Sequence, residues 1–199
     1  SDCRAPLGRL ANRKYAGLVV APELMGMHLT SPVVHSSHRS VSLSLSGATA
    51  LFGHFGIEWD LTSVDEAALA AIAEWVALAK RIRPLVATGH LVYVDGVESG
   101  VDVRGIVAAD ARSALFTITQ VETSVAHPAG RVRMPGLAPD RPSRLRLIDV
   151  AGSVPGPGQS PLAWAHHDTV LTGRELESVG VRPPVQFPQQ ATVVELISQ

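Results

Sequence analysis

The sequence predicts a helix-and-loop first half joined to an antiparallel β-sandwich, and two observations predict it. Residues 63–83 carry a single capped, amphipathic helical pattern. Beyond residue 86 the chain breaks into short runs that alternate apolar and polar residues, divided by Gly, Pro and Asp. Period-two alternation punctuated by turn residues is the pattern of a sandwich.

The helix is the clearest element. Ser63 precedes Glu66 by three positions, the spacing of a capping box. Asp65 and Glu66 fall in the first turn, where carboxylates favour the helix dipole. Leu69, Ile72, Val76 and Ala79 form one apolar stripe, and Trp75, Leu78 and Ile82 form a second beside it. The combined face is wide and calls for a large packing partner. Lys80, Arg81 and Arg83 fill the last turn and Pro84 stops it, so the pattern predicts a helix over residues 64–83.

Before that helix, "APELMGMHLTSPVVHSSHRS" carries Pro22, Gly26 and Pro32 and reads as extended loop. Residues 48–55 form an apolar run that suits a buried helix or a strand equally. "GIEWDLTS" suits a brief strand. After the helix, "HLVYVDG", "RGIVAAD", "ALFTITQVET", "GRVRMPG", "SRLRLIDV", "TVLTG" and "ATVVELIS" read as strands, with "AGSVPGPGQSP" a mobile loop among them.

Composition excludes some function classes. The chain has 199 residues, 46% hydrophobic, with a formal net charge of −1. That is a folded globular composition, and it makes no electrostatic case for nucleic acid or an anionic membrane. Cys3 is the sole cysteine, so no internal disulfide forms, and a cytoplasmic setting is expected. No apolar run reaches the length of a membrane span.

Several polar groups are candidates for chemistry. His35 with His38, and His166–His167–Asp168, are polar clusters that lack a full metal-ligand set, so no metal or cofactor is expected. Cys3 has no histidine partner assignable from spacing and reads as a structural or substrate-lining thiol. Asp60 reads as a hydrogen-bonding residue of the turn into the helix. Arg131, Arg133, Arg144 and Arg146 alternate as a solvent face without interleaved aromatics.

Two stretches add a family. "PELMGMH" supplies Pro22, Glu23, Leu24, Met25, Gly26 and His28, followed by His35 and Arg39. Phe-Gly-His-Phe-Gly-Ile-Glu-Trp-Asp-Leu then runs unbroken from Phe52 to Leu61. With "GIVAADARSALF", "RVRMPGLAPDRPSRLR" and "PPVQFPQQATVVEL", nearly the whole chain resembles the C-terminal portion of bacterial, actinobacterial-type α-galactosidases of glycoside hydrolase family 36. The resemblance implies a fold of class α/β plus all-β. Residues 1–86 would be the last portion of a (β/α)8 TIM barrel, and residues 87–199 an antiparallel β-sandwich. A whole barrel needs about 250 residues, so the wide helix face is expected to meet a barrel wall.

The resemblance also implies site residues. The family's acid/base lies in a Ser-Asp-x-x-Asp-x-x-x-Arg motif, and spacing back from Pro22-Glu23 puts that motif at Ser1. Asp2 then matches the acid/base, with Cys3 and Arg9 as substrate-binding residues and His28 and Trp59 as supporting residues. Ala5 stands where the motif has its second aspartate. No Lys-Trp-Asp nucleophile motif occurs in these residues. The implied activity is retaining hydrolysis of terminal α-D-galactosyl residues of oligosaccharides, without a cofactor, and this chain alone is expected to be inactive. The alternatives are a non-catalytic carbohydrate-binding module, for which Trp164 is the sandwich's one tryptophan, and a piece that docks onto a separately encoded barrel portion. Expected partners are the α-galactoside and either a second copy or the missing barrel portion.

Overall fold

A computed structural model describes residues 6–33, 40–124, 126, 129–154, 156, 158 and 162–199, with the backbone alone at residues 6, 7, 9, 13 and 166. The first half is helix α1 (Pro6–Ala16), strand β1 (Gly26–Thr30), helix α2 (Leu43–Ala50), strand β2 (His54–Glu58) and helix α3 (Glu66–Thr88). β1 and β2 pair in parallel, in register from Gly26 opposite His54 to Thr30 opposite Glu58. Parallel neighbours need a crossover, and α2 lies within it.

β1 corrects the loop expectation for residues 21–40. Met27 and Leu29 are buried while Gly26 and His28 are exposed. That alternation makes a strand, and Pro22 and Pro32 only bound it. Residues 34–39 of that stretch, including His35 and His38, lie outside the described residues, as does Arg39. The 48–55 run divides, its front half ending α2 and its back half opening β2.

α2 is buried on all sides although it carries serines. Each serine has a partner, as burial demands. Ser42 caps the helix, accepting from the Leu45 amide at 3.1 Å. Ser46 Oγ accepts from the Thr30 amide at 3.0 Å. Ser44 Oγ donates to Gln190 Oε1 at 2.8 Å.

α3 starts and ends later than its sequence pattern suggests. Asp65, not Ser63, is the cap and accepts from the Ala68 amide at 2.8 Å. Ser63 closes a short 3-10 turn (Leu61–Ser63), its Oγ donating to Asp60 O at 2.9 Å. Pro84 sits inside the helix, which continues to Thr88. A proline inside a helix loses its N–H bond and crowds the carbonyl four residues back, and packing of Val86 into the core carries the helix past it. A Cβ on Gly89 would lie 2.6 Å from Leu85 O and 2.7 Å from Val107 O, so glycine makes the exit.

The second half is one six-stranded antiparallel sheet: β3 (His90–Tyr93), β4 (Val101–Val107), β5 (Ser113–Gln120), β6 (Pro142–Ile148), β7 (Val170–Thr172) and β8 (Gln190–Ser198). The spatial order is β3-β4-β5-β8-β6-β7. Short helices α4 (Ala163–His166) and α5 (Gly173–Ser178) flank β7. Antiparallel pairing matches the expectation; a two-sheet sandwich does not describe the result. Among the described residues the layer on one face is made of connections carrying Met134, Leu137, Leu162, Trp164, Leu176 and Val181. "GRVRMPG" contributes only an isolated bridge from Val132 to Val181, because Pro135 and Gly136 end the extended run. Arg131, Arg133, Arg144 and Arg146 are exposed as expected. Residues 155, 157 and 159–161 of the expected mobile loop lie outside the described residues.

The other face of the sheet packs against α3 and α2. Ile72, Trp75, Leu78, Ala79, Ile82 and Val86 of α3 share one core with Ile106, Leu115 and Val193 of the sheet and with Leu29 of β1. The wide apolar face of α3 is thus covered jointly by the sheet, by α2 and by β1. Arg81 pairs with the largely buried Glu195 of β8 across the same junction.

Gly47 brings α2 onto α3. A Cβ there would fall 2.3 Å from two ring carbons of the fully buried Trp75. Gly47→Ala gains about 1 kcal/mol of helix propensity, but overpacking costs about 1–3 kcal/mol. An overlap as close as 2.3 Å puts the cost toward the upper end, so the expected net loss is about 1–2 kcal/mol, read from the thermal midpoint. An unchanged midpoint would show that α2 does not rest on Trp75. Asp65→Ala is expected to cost about 1 kcal/mol through loss of the cap, in the same measurement, with Ser63→Ala costing less than half of that.

Candidate active site

The parallel pair has two unlike faces. Met27 and Leu29 point into the cores shared with α2 and α3. Alternation places His28, His54 and Glu58 together on the opposite face, and all are exposed. Each histidine stands opposite a glycine, His54 across from Gly26 and His28 across from Gly56. A Cβ on Gly56 would lie 2.9 Å from His28 Cδ2, so the glycine leaves room for the imidazole against the strand. In parallel α/β architecture functional groups gather at the carboxyl ends of strands. Here those ends are Thr30 and Glu58.

The residues singled out from the sequence fall as follows. Asp2 and Cys3 lie outside the described residues. Arg9 is on α1, where its backbone is helical. His28 is at the centre of β1, on the exposed face. Trp59 follows the last residue of β2 and is half-buried, packed against the core that holds Leu29 and Ile72. His28 on β1 and Trp59 just past β2 therefore lie toward different sides. His54 and Glu58 were not singled out, and the alternation His-Phe-Gly-Ile-Glu was the signal that would have found them.

Asp60 does what its place predicts. Its Oδ1 accepts from Thr62 Oγ1 at 2.6 Å and from the Thr62 amide at 3.0 Å. Those bonds, the hydroxyl first, hold its carboxyl below the usual aspartate range. It organises the turn between β2 and α3 and leaves no reactive proton at neutral pH.

A cleft of about 480 Å³ opens between β2 and the C-terminal half of α3. His54, Phe55 and Ile57 line one wall, and Val76, Lys80 and Arg83 the other. It runs along the edge of β2 and excludes Glu58 and Trp59. Among the described residues no group of three or more His, Cys, Asp or Glu converges as metal ligands. Asp168 instead faces Arg144 at 3.7 Å. Trp164 is 8% exposed, and its indole N–H donates to Arg182 O at 2.9 Å. It is a core residue and offers no platform for a sugar ring. No described helix is long and apolar enough to cross a membrane.

Comparison with known proteins adds to this geometry. Residues 1–89 match the Melibiase family. The chain is 32% identical to an α-galactosidase of Escherichia coli over 201 residues, covering 98% of this chain and 28% of that protein. It is 29% identical to a probable α-galactosidase G of Aspergillus terreus over 158 residues, covering 78% of this chain and 21% of that protein. Among solved structures, the family 36 α-galactosidase AgaA of Geobacillus stearothermophilus in complex with raffinose superposes over 100% of this chain with a TM-score of 0.83, at 23% identity and over 25% of its own length. AgaB of the same organism gives 0.80 at 25% identity, again over 25% of its length. The chain spans about a quarter of the length of these relatives. The shared pattern of residues 1–89, the E. coli relative and the common fold place this chain in the Melibiase, glycoside hydrolase family 36-type, α-galactosidase family.

Proposed function

We propose that this chain is the C-terminal segment of a retaining α-galactosidase and supplies the acid/base carboxyl of its active site. The observation that carries this is the parallel β1–α2–β2–α3 unit. Among the described residues the pair stands as a two-stranded parallel sheet. Parallel sheets are built with more strands and with both faces covered, and a (β/α)8 barrel extends both edges. Residues 1–86 are then the last part of the barrel, and residues 87–199 the sheet domain behind it.

The chemistry needs two carboxyl groups about 5 Å apart. Asp2 protonates the departing glycosidic oxygen and then takes a proton from the water that attacks in the second step. A second carboxylate, from residues outside this sequence, attacks the anomeric carbon and forms the glycosyl-enzyme. Arg9 and Cys3 flank Asp2 in the motif and contact the galactosyl ring. His28 and Trp59 support the barrel end. The substrates are terminal α-galactosides such as melibiose and raffinose; the AgaA relative was solved with raffinose. No cofactor is needed, and the single cysteine fits a cytoplasmic setting.

The first test is hydrolysis of p-nitrophenyl α-galactoside by the purified chain beside an Asp2→Ala control. The expected result is no hydrolysis by either. Activity that vanishes in the control would place a nucleophile within this chain and overturn the segment reading. In a polypeptide that carries the complete barrel, Asp2→Ala is expected to slow raffinose hydrolysis by roughly 10²–10⁴-fold. The p-nitrophenyl substrate should lose less, because its leaving group departs without a proton. Equal losses on both substrates would argue against an acid role.

A second reading has its own observation. The cleft beside β2 and the exposed apolar residues Leu24, Ile57, Leu61 and Leu69 suit docking onto a separately made barrel portion. Mixing the two polypeptides would then restore activity that neither shows alone. Self-association through the same surface is the competing assembly, and sedimentation of the isolated chain separates the two.

A further inference from the structure

We infer that Arg104 is a positioning residue that works from the antiparallel sheet to fix α1, the helix that directly follows residues 1–5. Arg104 is on β4 and is 5% exposed. A buried guanidinium is costly unless its charge is matched and its N–H groups are bonded. Nε donates to Asp102 Oδ1 at 2.7 Å and Nη2 to Asp102 Oδ2 at 2.8 Å, a two-pronged pair. The guanidinium carbon lies 5.5 Å from the ring centroid of Tyr93, its neighbour across β3. Asp102 and Tyr93 already match the charge, and both belong to the sheet.

One contact leaves the sheet. Arg104 Nη2 also donates to Leu10 O of α1, at 3.2 Å. A carbonyl oxygen has two lone pairs, so it accepts this bond without giving up a helical one. Among the described residues α1 has three further holds, the first being Ala16, which packs against the cluster of Met25, Met27 and Ala50. Leu10 packs in a small cluster with Val41 and Leu45 of the α2 region. Lys14 meets Asp95 at 3.2 Å, but those side chains are 47% and 87% exposed. Exposed pairs hold little. Among these described contacts the bond from Arg104 is the buried, directional one, and it orients α1. Lysine could not substitute, since a point charge cannot hold both carboxylate oxygens and the Leu10 carbonyl at once.

The catalytic consequence rests on the reading of Asp2 as acid/base. Asp2 precedes α1 by four residues, and catalytic groups need tight placement. The sheet would then steer the acid/base through Arg104.

Hydrogen exchange on the whole chain tests the tie. In Arg104→Lys and Arg104→Met, amides of α1 are expected to exchange about tenfold faster or more, with β5 and β8 within about twofold of the parent. Lys14→Ala should leave α1 within about twofold. Unchanged α1 protection in both Arg104 variants overturns the inference. So does a loss shared equally by α1, β5 and β8, which would mark Arg104 as a general stabiliser. If neither variant folds, the parent chain still decides. A buried tie predicts α1 protection that is steady from about 0.05 to about 0.5 M salt, and a marked loss with salt assigns the tether to exposed charges instead. Hydrolysis by Asp2→Ala bears on the acid/base reading alone and leaves the exchange result untouched.

Discussion

The packing of Trp75 is the constraint on which the two halves depend. Its ring is fully buried between α2, where Gly47 clears the space, and the core face of the sheet. Its indole N–H donates to Ala151 O at 3.0 Å, just past β6. One side chain thus touches the crossover helix, the long helix and the sheet's far end. Burying a tryptophan is worth several times a surface contact. The two-stranded parallel pair cannot supply that burial itself, since one of its faces carries His28, His54 and Glu58 in the open. It borrows the core of the sheet through α3.

This borrowing explains which parts of the fold were legible in the sequence. β3 to β8 announce themselves because period-two alternation and turn residues are local signals. α3 departs from its sequence pattern at each end for a different reason. Asp65 competes with Ser63 for one cap, and tertiary packing of Val86 overrides Pro84. Residues 48–55 suit helix and strand equally because a short apolar run carries no deciding period, and the buried serines of α2 that precede it give no local sign of burial. Their partners, Thr30 and Gln190, are remote in sequence and invisible to any local pattern. The second layer of the sheet was read as strands because Val132 and Met134 alternate with arginines. The structure buries them as expected but pairs only Val132.

The candidate site is argued in two different ways. The proposal for Asp2 comes from motif spacing, which needs no structure and conveys no geometry. His54 and Glu58 come from strand alternation, which conveys geometry and no role. Arg104 was legible in neither, because an arginine alternating with apolar residues on a strand reads as solvent-facing. Only the pairing of β4 with β3, and the return of α1 across it, turns that face inward.

That inward arginine bears on why the sheet accompanies the parallel unit at all. A stabilising lid could be apolar throughout, and an apolar residue of similar size would cost less to bury than a charge. β8 departs from that logic at Glu195, where the sheet meets Arg81 of α3. β4 departs from it at Arg104, and the departure occurs where the sheet meets α1. A buried ion pair is weak grounds for net stability, and what the geometry of this one adds is direction. Apolar packing tolerates sliding, whereas a guanidinium held by two carboxylate oxygens and aimed at one carbonyl does not. The sheet therefore serves two separable purposes. Through Trp75 and α3 it gives the parallel strands a core, and through Arg104 it gives α1 an orientation.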